Sequence, residues 1–92
     1  MYIDDIIWLD DIIDKIEHKH RVLPEEVEEV FYNIPKYRKA QKGKYEGEYL
    51  YYGRTDSGRY LLVVFIYKEN REALIISARD MDKQERKRYG KK

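Results

Sequence analysis

The chain has 92 residues, no cysteine and a formal net charge of +1. Its length predicts one domain spanning residues 1–92, and the lack of cysteine excludes a disulfide framework and thiolate chemistry. No run of about 18 apolar residues marks a membrane span, and the N-terminus is acidic where a signal peptide is basic. We therefore expect a cytoplasmic protein with no membrane partner.

The charge is divided unevenly along the chain. Residues 1–31 hold ten acidic and three basic side chains, a net −7, whereas residues 32–92 hold sixteen basic and eight acidic ones, a net +8. This division favours a basic face for a polyanion and an acidic helical face elsewhere. Ordinary solvated surface charge on short elements is an equally good interpretation of the charge alone.

Two helices are predicted first in the chain. Apolar residues at Ile6, Leu9, Ile13 and Ile16 follow helical spacing and predict a helix from about Leu9 to His18. A second helix begins at Pro24, because the first helical position does not need the missing N–H. The segment Asn33-Ile34-Pro35 ends it, and residues 36–44 form a basic loop or an irregular edge strand.

Three strands and a last helix follow. The strands run from about Tyr45 to Arg54, from Arg59 to Tyr67 and from about Ala73 to Arg79, and short turns between them predict antiparallel pairing. The middle strand is apolar on both faces, so it should be covered on two sides. We expect a core of Val63, Val64, Phe65, Ile75 and Ile76. Asp82 and Glu85 match a capping box, which predicts a helix over Lys83–Tyr89. The order of these elements predicts an α+β fold with helices packed on one face of an antiparallel sheet.

Several functional classes have no motif here. The sequence contains no HExxH, no Cys/His cluster, no phosphate-binding glycine loop and no GxSxG. His18 and His20 are two residues apart and lie on different sides of a helix, so a zinc pair is not expected. We predict neither a metal nor a cofactor.

Each candidate for chemistry also has a plain structural interpretation. His20 is either a cation at a helix C-terminus or a proton carrier. Arg54 and Arg59 flank one turn, either as exposed charges or as a phosphate clamp. Arg79 shares a strand face with Ser77. It either lies at the edge of a functional site or forms a salt bridge with an acid such as Glu85.

Two further features lie on the last helix and on the surface. Glu85 and Tyr89 are four residues apart on the last helix and share a face. Most of the ten tyrosines should be structural, although a basic surface with tyrosines can also stack single-stranded bases.

Three blocks of the sequence resemble the BrnT family of toxins. Lys19-His20-Arg21-Val22, with the acidic helix that follows and Pro35, resembles the family's lysine–histidine–glycine–valine block, and Arg21 stands where the family usually has glycine. Gly53-Arg54-Thr55 to Val64 resembles its glycine-turn-glycine hairpin. Ile75-Ile76-Ser77-Ala78-Arg79, followed by Glu85-Arg86 and Tyr89, resembles its most specific signature.

The resemblance implies a RelE-like fold, with N-terminal helices and a C-terminal helix on a small antiparallel sheet, and a ribonuclease that stops translation. It implies a BrnA-like ribbon-helix-helix antitoxin in a heterotetramer of two toxins and two antitoxins. DNA would be contacted only through the antitoxin.

For metal-independent RNA cleavage, proton transfer and phosphate stabilisation need side chains. The candidates for proton transfer are His20, Glu85 and Tyr89, any of which can serve as the base. The candidates for phosphate stabilisation are Arg54 and Arg79, and RNA binding is assigned to Lys19, Arg59, Arg86 and Lys87. The alternatives are a non-enzymatic module that binds RNA or protein, and an inactive toxin that still binds its antitoxin.

Overall fold

Three helices and five strands make up the computed structural model, which describes residues 2–39 and 47–90. No helix among these residues is long and apolar enough to cross a bilayer. In chain order the elements are β1 (Asp5–Ile7), α1 (Asp10–His20), α2 (Pro24–Tyr32), β2 (Lys36–Lys39), β3 (Glu48–Arg54), β4 (Tyr60–Tyr67), β5 (Glu72–Asp80) and α3 (Lys83–Tyr89).

The strands form one sheet in the order β1-β5-β4-β3-β2. From β2 to β5 every neighbouring pair is antiparallel, which confirms the predicted antiparallel pairing and the α+β fold. The prediction that the helices pack on one sheet face is wrong for α3, whose Tyr89 contacts Tyr60 on the face opposite α1 and α2. The predicted basic segment 36–44 provides edge strand β2 over Lys36–Lys39. The rest of that segment, and the predicted strand start at Tyr45, lie outside the described residues.

Strand β1 was not predicted, and it pairs parallel to β5. In the sequence, Ile6 continues the helical spacing of the residues that follow, so it was taken as the start of the helical stripe. The structure instead places Ile6 opposite Ala73 in the sheet, and the helix begins at Asp10. The sheet is therefore mixed at one edge.

Local signals set the helix ends. Helix α1 continues two residues past the predicted His18 and ends where Arg21 takes a left-handed conformation with φ 54°. Such a conformation favours glycine, which accounts for the glycine expected there by resemblance. Pro24 begins α2 as predicted, and the Asp82–Glu85 capping box begins α3, with Glu85 N–H donating to Asp82 Oδ1 over 2.8 Å.

The core lies between the two N-terminal helices and one sheet face. Val63, Phe65 and Ile75 are fully buried against Ile16 of α1 and Val30 of α2. Helix α2 approaches β3 so closely that a Cβ on Gly53 would lie 2.8 Å from Val30 Cγ1. Gly53 therefore allows this packing because it has no side chain.

Two of the five predicted core residues are only half-buried. Val64 points to the opposite sheet face from Val63 and Phe65, since side chains alternate along a strand. Ile76 is the extra residue of a β-bulge, because Val64 pairs with Ser77 while Phe65 pairs with Ile75. The prediction that Val64 and Ile76 belong to the core is therefore wrong, because α1 and α2 pack on the other face.

We expect Phe65→Ala to reduce the free energy of unfolding by about 3–5 kcal/mol, because it leaves a cavity between the sheet and both helices. Denaturant titration measures the loss. Val63→Ala and Val64→Ala form a matched control pair, since they make one chemical change on opposite faces and the first should cost more. Equal costs for these two variants would contradict the described core.

Candidate nucleic-acid interface

Aromatic and guanidinium groups meet at one end of the sheet, where β3 ends and β4 begins. Arg54 and Tyr60 are paired across the β3–β4 hairpin, so they share a sheet face. The Arg54 Cζ lies 5.2 Å from the Tyr60 ring centroid, and Arg86 of α3 places its Cζ 4.4 Å from the same centroid. The Tyr89 ring meets Tyr60 edge-on at 5.9 Å. Tyr60 thus holds two cations in place through cation–π contacts.

An open groove runs between this hairpin and α3. Four of the described residues that line it are cationic and none is acidic: the lining comprises Arg54, Tyr60, Lys83, Arg86, Lys87, Tyr89 and Gly90. Lys36 of β2 adds a fifth cation at the rim, since its Nζ lies 5.0 Å from the Tyr89 ring centroid and donates to the Tyr89 carbonyl oxygen. Clustered cations with accessible aromatic rings suit a single-stranded nucleic acid, whose phosphates bind the cations and whose bases stack.

Arg79 projects from β5 on the same sheet face as the groove, because it pairs with Leu62, two residues from Tyr60. Its two terminal nitrogens donate to the Glu85 carboxylate, Nη1 to Oε1 at 2.8 Å and Nη2 to Oε2 at 2.9 Å. The Glu85 side chain is 10% exposed and that of Arg79 is 39% exposed. A two-point pair of this kind fixes the plane of the guanidinium group.

The protonation states of this pair follow from its contacts. Burial alone would raise the pKa of the Glu85 carboxyl, but hydrogen bonds from Arg79 and from the Asp82 N–H lower it. The hydrogen bond to Glu85 raises the pKa of Arg79. Glu85 is thus held as a carboxylate beside a permanent cation, and this favours a positioning role over proton transfer.

Arg59 has a different environment on the helix side of the sheet. Its Nε and Nη2 donate to Asp80 at 2.7 and 3.0 Å, Nη1 to the Arg21 carbonyl at 2.7 Å and to Glu26 at 3.1 Å, and Nη2 also to the His20 carbonyl at 2.9 Å. All five N–H groups of the guanidinium group therefore have protein acceptors. The hydrogen bond between Arg59 and Asp80 raises the pKa of Arg59 and lowers that of Asp80.

The sequence-predicted residues fall into two sets. The groove and its edge bring together six of them: Arg54, Arg79, Glu85, Arg86, Lys87 and Tyr89. Lys19, His20 and Arg59 lie with the C-terminal end of α1 instead. The hairpin turn brings the backbones of Arg54 and Arg59 together, but their guanidinium groups have separate surroundings on the two sides of the sheet.

Sequence reasoning missed three residues of the groove. Tyr60, Lys36 and Lys83 were not among the candidates, although all three contribute to it. The hairpin register offered a signal for Tyr60, because a turn that ends β3 at Arg54 places Tyr60 directly opposite. Lys36 reaches the groove only through the pairing of β2 with β3.

Comparison with known proteins identifies a matching family and a similar solved structure. Residues 10–85 match the sequence model of a family described as the ribonuclease toxin BrnT of type II toxin–antitoxin systems. The crystal structure of the Brucella abortus ribonuclease toxin BrnT is similar, with a TM-score of 0.67 and 18% sequence identity over 86% of this chain and 97% of that one. No curated protein sequence matches the chain.

We expect Glu85→Gln to flatten the acid limb of the plot of melting temperature against pH. Because the Glu85 pKa is lower in the folded than in the unfolded state, the carboxylate stabilises the fold above the unfolded value of about 4.3. This contribution is lost as the pH falls through the folded pKa. Part of the slope should persist, because the pKa of Asp80 is lowered as well.

Thermal unfolding measured between acidic and neutral pH tests this expectation. Glu17→Gln is the matched control, since Glu17 is exposed on α1. An acid limb that is equally steep in the Glu85→Gln variant and in the unchanged protein would contradict the assignment.

Proposed function

The chain belongs to the BrnT family of ribonuclease toxins from type II toxin–antitoxin systems, and from this premise we propose that the groove beside α3 binds and cleaves the RNA substrate. The activity is that of an endoribonuclease that is paired with an antitoxin. The observation that carries the proposal is the position of Arg54 and Arg86 over Tyr60, with the fixed guanidinium group of Arg79 on the same sheet face.

The proposed reaction uses the RNA's own nucleophile. The 2′-hydroxyl oxygen forms a bond to the adjacent phosphorus and gives its proton to a base, while the bond from phosphorus to the 5′-oxygen breaks and that oxygen receives a proton. The products are a 2′,3′-cyclic phosphate and a 5′-hydroxyl. Negative charge grows on the phosphate oxygens during the attack, so fixed cations accelerate the reaction. Guanidinium groups can supply the positive charge that stabilises these oxygens, and this supports metal-independent cleavage.

Arg79 and Arg54 are the proposed phosphate ligands. Glu85 holds two terminal N–H groups of Arg79, while the Arg79 Nε makes no hydrogen bond with residues 2–36 and 47–90, so it can donate to a phosphate oxygen. Arg54 is exposed at the groove. Arg86 and Lys87 extend the cationic surface along α3 and would bind neighbouring phosphates.

Proton transfer is proposed for Tyr89, the candidate that lines the groove. Glu85 is better suited to orienting Arg79, because its carboxylate already accepts hydrogen bonds from Arg79 and from the Asp82 N–H. His20 is the second proton-transfer candidate. It ends α1 at the same end of the sheet, where it lowers the pKa of Asp80, and Lys19 would accompany it as an RNA contact. The RNA contact predicted for Arg59 is not part of the proposal, because every N–H group of that guanidinium group already has a protein acceptor.

The proposed antitoxin is BrnA-like, with a ribbon-helix-helix domain that contacts DNA for the pair. Cytoplasmic location accords with an RNA substrate. We expect two copies of the 11.3 kDa chain to assemble with two antitoxins, since ribbon-helix-helix proteins are dimers. Co-expression with the product of the adjacent gene, followed by light scattering on a sizing column, measures the stoichiometry. A complex of one toxin with one antitoxin would contradict this assembly.

We expect Arg79→Ala to lower RNA cleavage by about 10²-fold or more, as for loss of one charge-stabilising donor, while the protein stays folded and still binds the antitoxin. Cleavage of purified RNA in EDTA, with the melting temperature measured in parallel, tests this. Arg59→Ala gives the contrast, because any loss of activity there should follow a loss of stability. An Arg79→Ala protein that is folded and fully active would overturn the proposed role.

A further inference from the structure

A second concave surface lies on the opposite face of the sheet from the groove. This cleft is bounded by the N-terminal segment before and within β1 and by the C-terminal half of α2. Phe31 and Tyr51 line it and pack together, with ring centroids 4.8 Å apart. Tyr51 and the Arg79-facing Tyr52 are neighbours on one strand and point to opposite faces, so the cleft and the RNA groove are separate surfaces.

Large apolar side chains around the cleft are exposed to solvent. Ile34 is 89% exposed, Tyr32 83% and Tyr2 78%, and all three line the cleft. They are the three most exposed of the five large exposed hydrophobic residues among those described. Exposed apolar side chains clustered at a concave surface are typical of a site where another protein docks.

Ile34 is also held in an unfavourable backbone conformation. Its φ is 51°, in the left-handed region, which is a genuine outlier for a β-branched residue and is energetically unfavourable. Glycine or asparagine would occupy this position with less strain and less exposed apolar surface. An isoleucine at this position therefore does not stabilise the isolated fold.

The cleft is also acidic. Asp4, Asp5 and Glu28 line it, and no lysine or arginine does so within residues 2–36 and 47–90. Arg71 lies 4.0 Å from Asp4, but both side chains are more than 60% exposed, so this pair offsets little of the charge. These carboxylates repel nucleic acid and attract cationic side chains.

We propose that this cleft receives a segment of the antitoxin in which a bulky apolar side chain is flanked by lysine or arginine. The apolar side chain would bury against Ile34, Tyr32 and the Phe31–Tyr51 floor, and the basic residues would pair with the three carboxylates. The inference rests on the proposed pairing with an antitoxin and adds where that antitoxin docks.

Ile34→Asn tests the apolar contact without a risk of unfolding. Asparagine tolerates the left-handed conformation, so we expect an unchanged or raised melting temperature together with at least about tenfold weaker binding, equivalent to ~1.4 kcal/mol. Leu9→Asn is the matched control, because Leu9 is 44% exposed, lies outside the cleft and occupies an N-cap position that asparagine favours. The binding probe is the purified product of the gene adjacent to the toxin gene, titrated calorimetrically.

A double variant, Asp5→Asn with Glu28→Gln, tests the charge. Each replacement keeps an oxygen that can accept the present hydrogen bond, from Ile6 N–H to Asp5 at 2.9 Å and from Trp8 Nε1 to Glu28 at 3.3 Å. We expect weaker antitoxin binding with a smaller dependence on salt, because two of the three attracting charges are gone. RNA cleavage by both variants should match the unchanged protein.

The outcomes separate this inference from the proposed function. If the unchanged protein binds the antitoxin and Ile34→Asn binds equally well, the docking site is wrong and the proposed function stands. If Ile34→Asn alters the mass of the isolated chain in solution and leaves antitoxin affinity unchanged, the occupant is a second copy and the inference is overturned. If the adjacent gene product does not bind the unchanged protein, the proposed pairing fails, and the docking site fails with it.

Discussion

The hydrogen bonds of Arg59 tie the two N-terminal helices to the end of the sheet where the candidate site is built. One guanidinium group holds the carbonyl groups that end α1, the Glu26 carboxylate in the first turn of α2 and the Asp80 carboxylate at the end of β5. The carbonyls at a helix C-terminus lack partners within the helix, and Arg59 supplies N–H donors for two of them. Without it, several polar groups at this junction would lose their partners at once.

Because side chains alternate along each strand, the structural residues and the candidate site residues at this end of the sheet point to opposite faces. Arg59 and Asp80 point toward the helices and pair with each other, whereas their neighbours Tyr60 and Arg79 point to the other face. The helix side is thus closed by saturated ion pairs. On the groove side, Arg54 and Arg86 lie over the Tyr60 ring, and this contact leaves their N–H groups able to bind phosphate.

The uneven charge of the chain has a structural counterpart. The acidic N-terminal third provides Asp4, Asp5 and Glu28 of the cleft, and the basic remainder provides the groove beside α3. Because the two surfaces occupy opposite faces of the sheet, their fields need not cancel locally. A polyanion and a cationic protein segment would be attracted to different sides of the same small domain.

The sequence by itself determined the features that depend on residues close together in the chain, such as helix starts and the pairing of strands joined by short turns. Pro24 begins α2, the Asp82–Glu85 capping box begins α3, and the short turns pair the three central strands, all as predicted. The six predicted residues at the groove are also found together, since β5 pairs with β4 and returns the chain to the hairpin end of the sheet just before α3 begins. These features depend on local backbone chemistry and on short connections.

The remaining features were decided by the tertiary structure, because they depend on which distant segments meet. Parallel pairing of β1 requires β5, which comes much later in the chain. The bulge at Ile76 changes which side chains face the helices, and no local pattern marks it. Arg54 and Arg59 look alike in the sequence, yet one lies over Tyr60 and the other is enclosed by acceptors from both helices and β5. Their surroundings differ because packing, rather than residue type, determines which donors an arginine has left for a ligand.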